Sequence, residues 1–256
     1  MPTIATWNVN SIRARLDHVS DWLQANPVDL LALQETKVQD DDFPHQRFAA
    51  LGYQLACVGQ KSYNGVAVLA RRPLAVLARQ LPGFDDDQAR LLAVEHAGML
   101  VVDVYVPNGA SVGSDKYAYK LAWLDALAAW LETLLAQYDE VLVAGDFNIA
   151  PGDADVHDPQ AWDEKILCST PERERLARLQ ALGLSDAFRA FAQAPASFSW
   201  WDYRAAGFRR NRGLRIDLIL VSAALAARLR ACHIDVGPRG LDKPSDHAPV
   251  IAEFAS

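Results

Sequence analysis

The sequence predicts an α/β protein, a sandwich of β-sheets with helices outside. Three observations point there. Short, strongly apolar runs recur along the chain, two longer segments carry apolar residues at helical spacing, and strands and helices do not alternate strictly. A parallel, doubly wound sheet requires regular alternation, whereas a hairpin within a mixed order suits stacked mixed sheets.

Taken in order, Thr3–Asn8 reads as a strand and residues 13–25 as an amphipathic helix stopped by Pro27. Residues 29–34 form a short apolar run typical of a buried strand. Asn64-Gly65 is a turn signal ahead of a strand at Val66–Ala70. Leu91–His96 and Met99–Tyr105 flank Ala97-Gly98 and read as a hairpin. Residues 115–136 carry apolar residues at helical spacing and predict a long helix. Residues 141–145 are another buried strand, residues 171–182 a helix with proline in its first turn, residues 216–221 a strand, and Val250–Phe254 closes the chain. There is no long linker, repeat or low-complexity tract, so a single domain over residues 1–256 is expected.

The bulk numbers narrow the function. With 256 residues, 51% of them hydrophobic, the chain can bury one sizeable core. A net charge of −7 excludes a generally basic nucleic-acid binder, so any contact with phosphates must use locally concentrated cations. Cys57, Cys168 and Cys232 form no CxxC pair, which argues against a disulfide framework or a thiolate zinc site and for a reduced, cytoplasmic setting. The N-terminus enters a strand pattern directly, without a signal-peptide pattern, and the most apolar stretch carries Asp125 and Glu132. Neither membrane insertion nor a membrane partner is expected, and nothing demands more than a monomer.

Function is signalled where apolar strands end in amides and acids. The first strand delivers Asn8 and Asn10, and the second Gln34 and Glu35. Residues 141–145 deliver Asp146 and Asn148, Leu214-Arg215-Ile216 leads into Asp217, and Ser245-Asp246-His247 precedes the last strand. Taken singly, each has a structural explanation: Glu35 an exposed acid, Asp146 an Asx turn, His247 a core imidazole, Tyr105 packing. Asp217, inside an apolar run, resists that explanation, because a buried acid needs a partner. Jointly, five decorated strand ends describe a site built on rigid backbone, rich in the hard oxygen donors that suit Mg²⁺ or Mn²⁺.

These residues bring the chain into line with a known family. Trp7-Asn8-Val9-Asn10, Leu33-Gln34-Glu35-Thr36-Lys37, Gly65-Val66-Ala67, Tyr105-Val106-Pro107-Asn108, Gly145-Asp146-Phe147-Asn148, Asn211-Arg212-Gly213-Leu214-Arg215-Ile216-Asp217 and Ser245-Asp246-His247-Ala248-Pro249 occur in one order across the chain. The set resembles the exonuclease III family of apurinic/apyrimidinic endonucleases, within the endonuclease/exonuclease/phosphatase fold. The resemblance implies a four-layered α/β sandwich, two mixed β-sheets packed face to face with helices outside and the active site at one edge.

It also implies roles. A Mg²⁺ ion, replaceable by Mn²⁺, would lie among Asn8, Glu35, Asp146, Asn148, Asp246 and His247, with Glu35 as its main ligand. Asp146 would orient or deprotonate the attacking water. Asn148 and His247 would hold the scissile phosphate, with Asp217 pairing the histidine and Tyr105 beside the phosphate. Contacts to DNA would come from Asn10, Arg13, Lys37, Asn108, Trp200, Arg204, Arg212, Leu214 and Ile216. The implied activity is DNA repair on duplex DNA with abasic sites, nicks or blocked 3′ ends, as 3′→5′ exonuclease, 3′-phosphatase or phosphodiesterase and abasic-site endonuclease. The setting would be cytoplasmic, on the nucleoid when acting.

The residues themselves supply a place for DNA. Arg204, Arg209, Arg210, Arg212 and Arg215 cluster without an intervening acid, just after Phe198, Trp200, Trp201 and Tyr203. Arginines beside aromatics suit a phosphate backbone and stacked bases. Arg15 could add a phosphate contact.

One departure stands out. The segment Asp163–Ser169, which in many relatives contains a glycine, has none here, and His157 stands where relatives vary between glycine and basic residues. Bulk there would narrow a pocket for a flipped-out abasic sugar, so weak abasic incision beside retained 3′-end activities is expected. The alternative is a phosphatase of the same fold acting on a non-DNA phosphoester, and a catalytically dead scaffold is a third possibility. The Trp- and Arg-rich segment opposes the former, and a competent side chain at every site position opposes the latter.

Overall fold

A computed structural model describes residues 2–255. In chain order the elements are β1 (Thr3–Asn8), α1 (Leu16–Ala25), β2 (Leu30–Gln34), α2 (His45–Ala49), β3 (Gln54–Val58), β4 (Val66–Ala70), β5 (Leu74–Ala78), β6 (Leu91–His96) and β7 (Met99–Tyr105). They continue with α3 (Asp115–Leu135), β8 (Val141–Asp146), α4 (Pro159–Trp162), α5 (Thr170–Ala181), β9 (Ser185–Asp186), β10 (Asp217–Val221), α6 (Ala223–Arg228), β11 (Leu229–Ile234) and β12 (Val250–Phe254).

The strands form two six-stranded mixed sheets, ordered β11-β12-β1-β2-β4-β3 and β5-β6-β7-β8-β10-β9. Alternate residues of each strand serve different layers. Ile4, Leu30, Val68, Val94, Val101, Leu142 and Ile219 meet between the sheets. Behind the first sheet, Ala5, Trp7, Leu31 and Leu33 pack on Val19, Trp22 and Leu23 of α1 and Phe48 of α2. Behind the second, Leu100, Val102, Val143 and Leu218 pack on Trp123, Leu127 and Leu131 of α3 and on Leu176 and Leu179 of α5. The result is the expected helix–sheet–sheet–helix order.

Two helix starts show the local causes. Ser114 caps α3 by accepting the Tyr117 N–H, and Ser169 forms a reciprocal capping box with Glu172 at α5, with proline in the first turn.

The element boundaries shift slightly from expectation. Helix α1 begins at Leu16, three residues late, because 12–15 form turns in which the Arg15 N–H bonds the Ser11 carbonyl. Strands β3, β5 and β11 were not legible. Strands β3, β5 and β11 are sheet edges, and β11, which follows an Ala-rich helix directly, buries only Leu229 and Cys232, three residues apart, without strand alternation. Their Ala- and Leu-rich sequences lack the β-branched signature of an inner strand.

Candidate active site

The site lies at one edge, where neighbouring strands of both sheets end. Parallel pairing of β7 with β8 sets Tyr105 beside Asp146, and antiparallel pairing of β10 with β8 sets Asp217 on the other side of Asp146. One sheet therefore presents Tyr105, Asp146 and Asp217 in a row. The other pairs Asn8 with Gln34, and Glu35 follows at once. The segment before β12 is held by single bridges running from Leu214 through Trp200 to His247. Backbone in the left-handed region marks the turns here: φ is 44° at Asn10, 52° at Glu35, 56° at Lys37 and 50° at Asn148. Asparagine tolerates this readily, but Glu35 and Lys37 are held in it by their surroundings. Gly145 is required, since a Cβ there would lie 1.9 Å from the Val104 carbonyl oxygen.

Asn8 ties the sheets together, its Nδ2 donating to Glu35 Oε1 and Asp146 Oδ2, each at 2.9 Å. The Asn148 N–H donates to Asp146 Oδ1 at 2.9 Å, and Asn148 Nδ2 to Asp146 Oδ2 and the Val106 carbonyl. Asn108 Nδ2 in turn donates to Asn148 Oδ1. His247 Nδ1 lies 2.9 Å from Asp217 Oδ2, while its Nε2 lies 3.8 Å from Asp146 Oδ2. Ser199 Oγ accepts the Asp217 and Ile216 N–H groups, so the strand end that carries the acid is pinned. Ser245 Oγ donates to the Asn8 carbonyl and accepts the His247 N–H, joining the first and last strands.

Burial and charge set the protonation states. Burial disfavours the imidazolium of His247, but the carboxylates of Asp217, Asp146 and Asp246 outweigh it and push the pKa up to about 10. Burial raises the Asp146 carboxyl to about 7, against the opposing charge of His247. Burial, with Glu35 and Asp146 nearby, holds the Tyr105 phenol well above its ordinary value, and the Arg90 guanidinium covers its ring at 4.8 Å. For Asp246, His247, Asn10 and Trp200 overcome the effect of burial and keep the carboxyl below its ordinary value. At neutral pH the site thus pairs a carboxylate near its midpoint with a cationic imidazole and a neutral phenol.

Glu35, Asp146 and His247 offer ligand atoms all within 4.8 Å of one another. Of these, the carboxylates suit a hard cation, while a protonated His247 is a donor. Asn8 and Asn148 turn amide nitrogens to the carboxylates. Asp246 faces elsewhere: its oxygens accept from Asn10 Nδ2 at 2.9 Å and Trp200 Nε1 at 3.0 Å. Lys37 Nζ lies 2.8 Å from Glu35 Oε2 and bonds Asn10 Oδ1, beside the acids.

The expected DNA-facing residues divide. Arg204, Arg209, Arg210 and Arg212 are exposed on the loop beyond Trp201, and Arg13 is exposed with Asp42 as partner. Arg215 does not belong with them. It is buried and bonds Asp155 and Asp186, with the Phe188 ring beneath it. Phe198 and Trp201 are core, and only Trp200 and Tyr203 of the aromatic run reach the surface. Arg15 bonds the Asn10 and Pro244 carbonyls, bracing the rim. Leu214 and Ile216 lie buried with Ala150, Val156, Leu167 and Cys168, beneath half-buried Trp162, Ile166 and Trp200. His157 packs edge-on against Trp162 at the same rim.

Sequence reasoning missed Lys120 and Glu172, both fully buried and ion-paired behind Asn148. A signal existed: Lys120 falls on the apolar stripe Tyr117, Leu124, Leu127, Leu131 of α3, where a lone cation needs a buried partner.

This architecture has relatives. Residues 5–247 match the profile of the Endonuclease/Exonuclease/phosphatase family. Exodeoxyribonuclease III of Haemophilus influenzae is 37% identical over 262 residues, covering 97% of this chain and 98% of that one. The chain belongs to the endonuclease/exonuclease/phosphatase family, in its exonuclease III branch. The 3′ phosphatase NExo from Neisseria, solved bound to a product DNA hairpin, is 43% identical with a TM-score of 0.98 and full coverage of both chains. An AP endonuclease from Archaeoglobus fulgidus is 36% identical with a TM-score of 0.96, again over both whole chains. The family's chemistry, hydrolysis of phosphate esters by a nuclease-type enzyme, is accordingly this chain's. Among the described residues, no helix is long and apolar enough to cross a membrane.

Proposed function

We propose that this protein is a DNA-repair phosphodiesterase that hydrolyses phosphate esters at 3′ ends of duplex DNA, a single-domain monomer using Mg²⁺, with Mn²⁺ able to replace it. The observation that carries the reading is geometric: His247, locked to Asp217 at 2.9 Å, stands 3.8 Å from Asp146, with Glu35 within reach of the same point. A general base works best with a pKa near the working pH, and a cation fixed opposite it stabilises developing phosphoryl charge.

The donor set fits a hard divalent cation: two carboxylates among amides, with the three cysteines buried elsewhere. Glu35 and Asp146 would hold it, and when bound it supplies Lewis acidity to the phosphate and the leaving oxygen. The protein's own groups account for the rest. Asp146 Oδ2 accepts a proton from the attacking water. Asn8 and the Asn148 N–H fix that carboxylate's orientation. His247 Nε2–H donates to a phosphoryl oxygen, and Asp217 keeps the ring charged and aligned. Tyr105 remains protonated and can donate to the same phosphate. The exposed arginines of the 204–212 loop and half-buried Trp200 suit duplex backbone beside an end.

The balance among activities follows from Leu167. It adopts φ 73°, a conformation that favours glycine, and its side chain is buried in an apolar cluster with Leu214 and Ile216, where a sugar pocket would have to open. A flipped-out abasic sugar would have to displace it. Release of 3′-phosphate and 3′→5′ exonuclease action are therefore favoured over abasic incision. The test is a panel of duplexes, nicked, 3′-phosphorylated and abasic, incubated with Mg²⁺. Rapid phosphate release with slow abasic cleavage supports the reading, and Leu167→Gly should raise abasic cleavage. Equal, rapid cleavage of both by the wild type would overturn the preference.

A further inference from the structure

Lys120 occupies an unusual place. It sits on the buried face of α3 with its side chain fully enclosed, and its three ammonium donors have three partners: the Asn148 carbonyl at 2.7 Å, the Asn108 carbonyl at 3.2 Å, and Glu172 Oε1. Glu172, equally enclosed, also accepts the Leu167 N–H at 3.1 Å on the same oxygen. Its other oxygen accepts the Ser169 N–H at 3.1 Å and Ser169 Oγ at 2.6 Å. Tyr117, one turn before Lys120, adds its hydroxyl to Ser169 Oγ at 2.7 Å. Every polar atom of the pair is satisfied.

Neither charge can touch a substrate, and a buried pair brings little net stability, because desolvation offsets the attraction. What the pair does have is connectivity. One end holds the backbone of Asn108 and Asn148, which line the phosphate side of the site. The other end holds the backbone of Leu167, which packs against Leu214 and Ile216, and the Ala150 N–H closes the loop by donating to the Leu167 carbonyl at 2.8 Å.

We propose that Lys120 and Glu172 are positioning residues that fix Leu167 relative to Asn148, so that the pocket wall and the phosphate-holding amide form one rigid unit. The pair thereby contributes both to turnover and to the discrimination between a 3′-phosphate and an abasic sugar. This rests on the phosphodiesterase reading above.

The test must separate positioning from folding. Lys120→Met or Glu172→Gln alone leaves a buried charge unpaired and lowers the melting temperature. The double variant K120M/E172Q removes both charges, so its melting temperature should recover toward wild type. If the pair were only structural, activity would recover with it. Positioning predicts otherwise: in the double variant kcat for 3′-phosphate release stays about tenfold or more below wild type while KM changes little. The ratio of abasic incision to phosphate release rises severalfold, because only the Ala150 N–H then ties Leu167 to the Asn148 side. A stable double variant with wild-type kcat and an unchanged substrate ratio overturns the proposal. Should the double variant fail to fold, Tyr117→Phe decides. It removes only the hydroxyl bond to Ser169, and a twofold or greater change in the substrate ratio at unchanged melting temperature is expected. An unchanged ratio refutes the coupling. Wild-type protein inactive on both substrates would instead refute the phosphodiesterase reading itself.

Discussion

Replacing Asp217 with asparagine tests the electrostatic core of the site. The substitution preserves shape and leaves the Ser199 bond to the backbone of residue 217 in place, but removes the charge nearest His247. His247 is raised from 6.5 to about 10 by its surrounding carboxylates working against burial. That rise corresponds to roughly 5 kcal/mol net in favour of the imidazolium, what remains after Asp217, Asp146 and Asp246 have outweighed burial, with Asp217 the largest charge contributor. Because the folded pKa is raised, the imidazolium and the activity that needs it persist below about 10 and are lost as pH rises through that value. Without Asp217, burial acts with weaker opposition and the imidazole is neutral over much of the neutral range. Release of phosphate from a nicked 3′-phosphate duplex, followed across pH at saturating Mg²⁺, should show kcat at neutral pH down about a hundredfold or more. The alkaline limb should also move down by more than one pH unit. A variant with kcat within threefold of wild type and an unmoved alkaline limb would refute the argument.

Other outcomes follow from the same structure. Asp103 is wholly buried between the sheets, accepting from Gln34 Nε2 at 2.7 Å, and burial raises its carboxyl well above the ordinary value. The folded state therefore holds a proton the unfolded chain releases, and stability from this group falls as pH rises above about 4. Asp103→Asn should gain on wild type by up to about 1.4 kcal/mol per pH unit over that range, as read by denaturant melts, and parallel pH dependences in the two proteins would contradict this. Arg212→Ala should weaken duplex binding uniformly across sequences and reduce the salt slope by about one. Arg215→Ala should instead destabilise the fold by about 3–5 kcal/mol, because buried Asp186 loses its cation and Asp155 keeps only the partly exposed Arg189, and a normal melting temperature would show the Arg215 pairs to be dispensable.

Much of this site was legible in sequence because strand ends are. An apolar run that stops at an amide or acid places that side chain at a sheet edge, and Asn8, Glu35 and Asp146 converge as that logic expects, met by Asp217 at the start of β10 and His247 ahead of β12. What was not legible depends on which strands become neighbours. Nothing local to Arg215 says that it points inward to Asp155 and Asp186 rather than outward with Arg212. Asp246 sits next to His247 in the chain, yet faces Asn10 and Trp200 while the imidazole turns to Asp217. The Lys120–Glu172 pair spans 52 residues, and only packing of α3 on α5 brings it together. Edge strands β3, β5 and β11 escaped because half-exposed Ala- and Leu-rich runs carry no clear period.

The most direct test of the whole account is a Mg²⁺ titration of phosphate release from a nicked 3′-phosphate duplex, run with wild type, Glu35→Ala and His247→Ala. The account predicts no release in EDTA, saturable activation by Mg²⁺ in the wild type, and a loss of about two orders of magnitude or more in each variant. Full activity in EDTA, or wild-type rates from both variants, would contradict it.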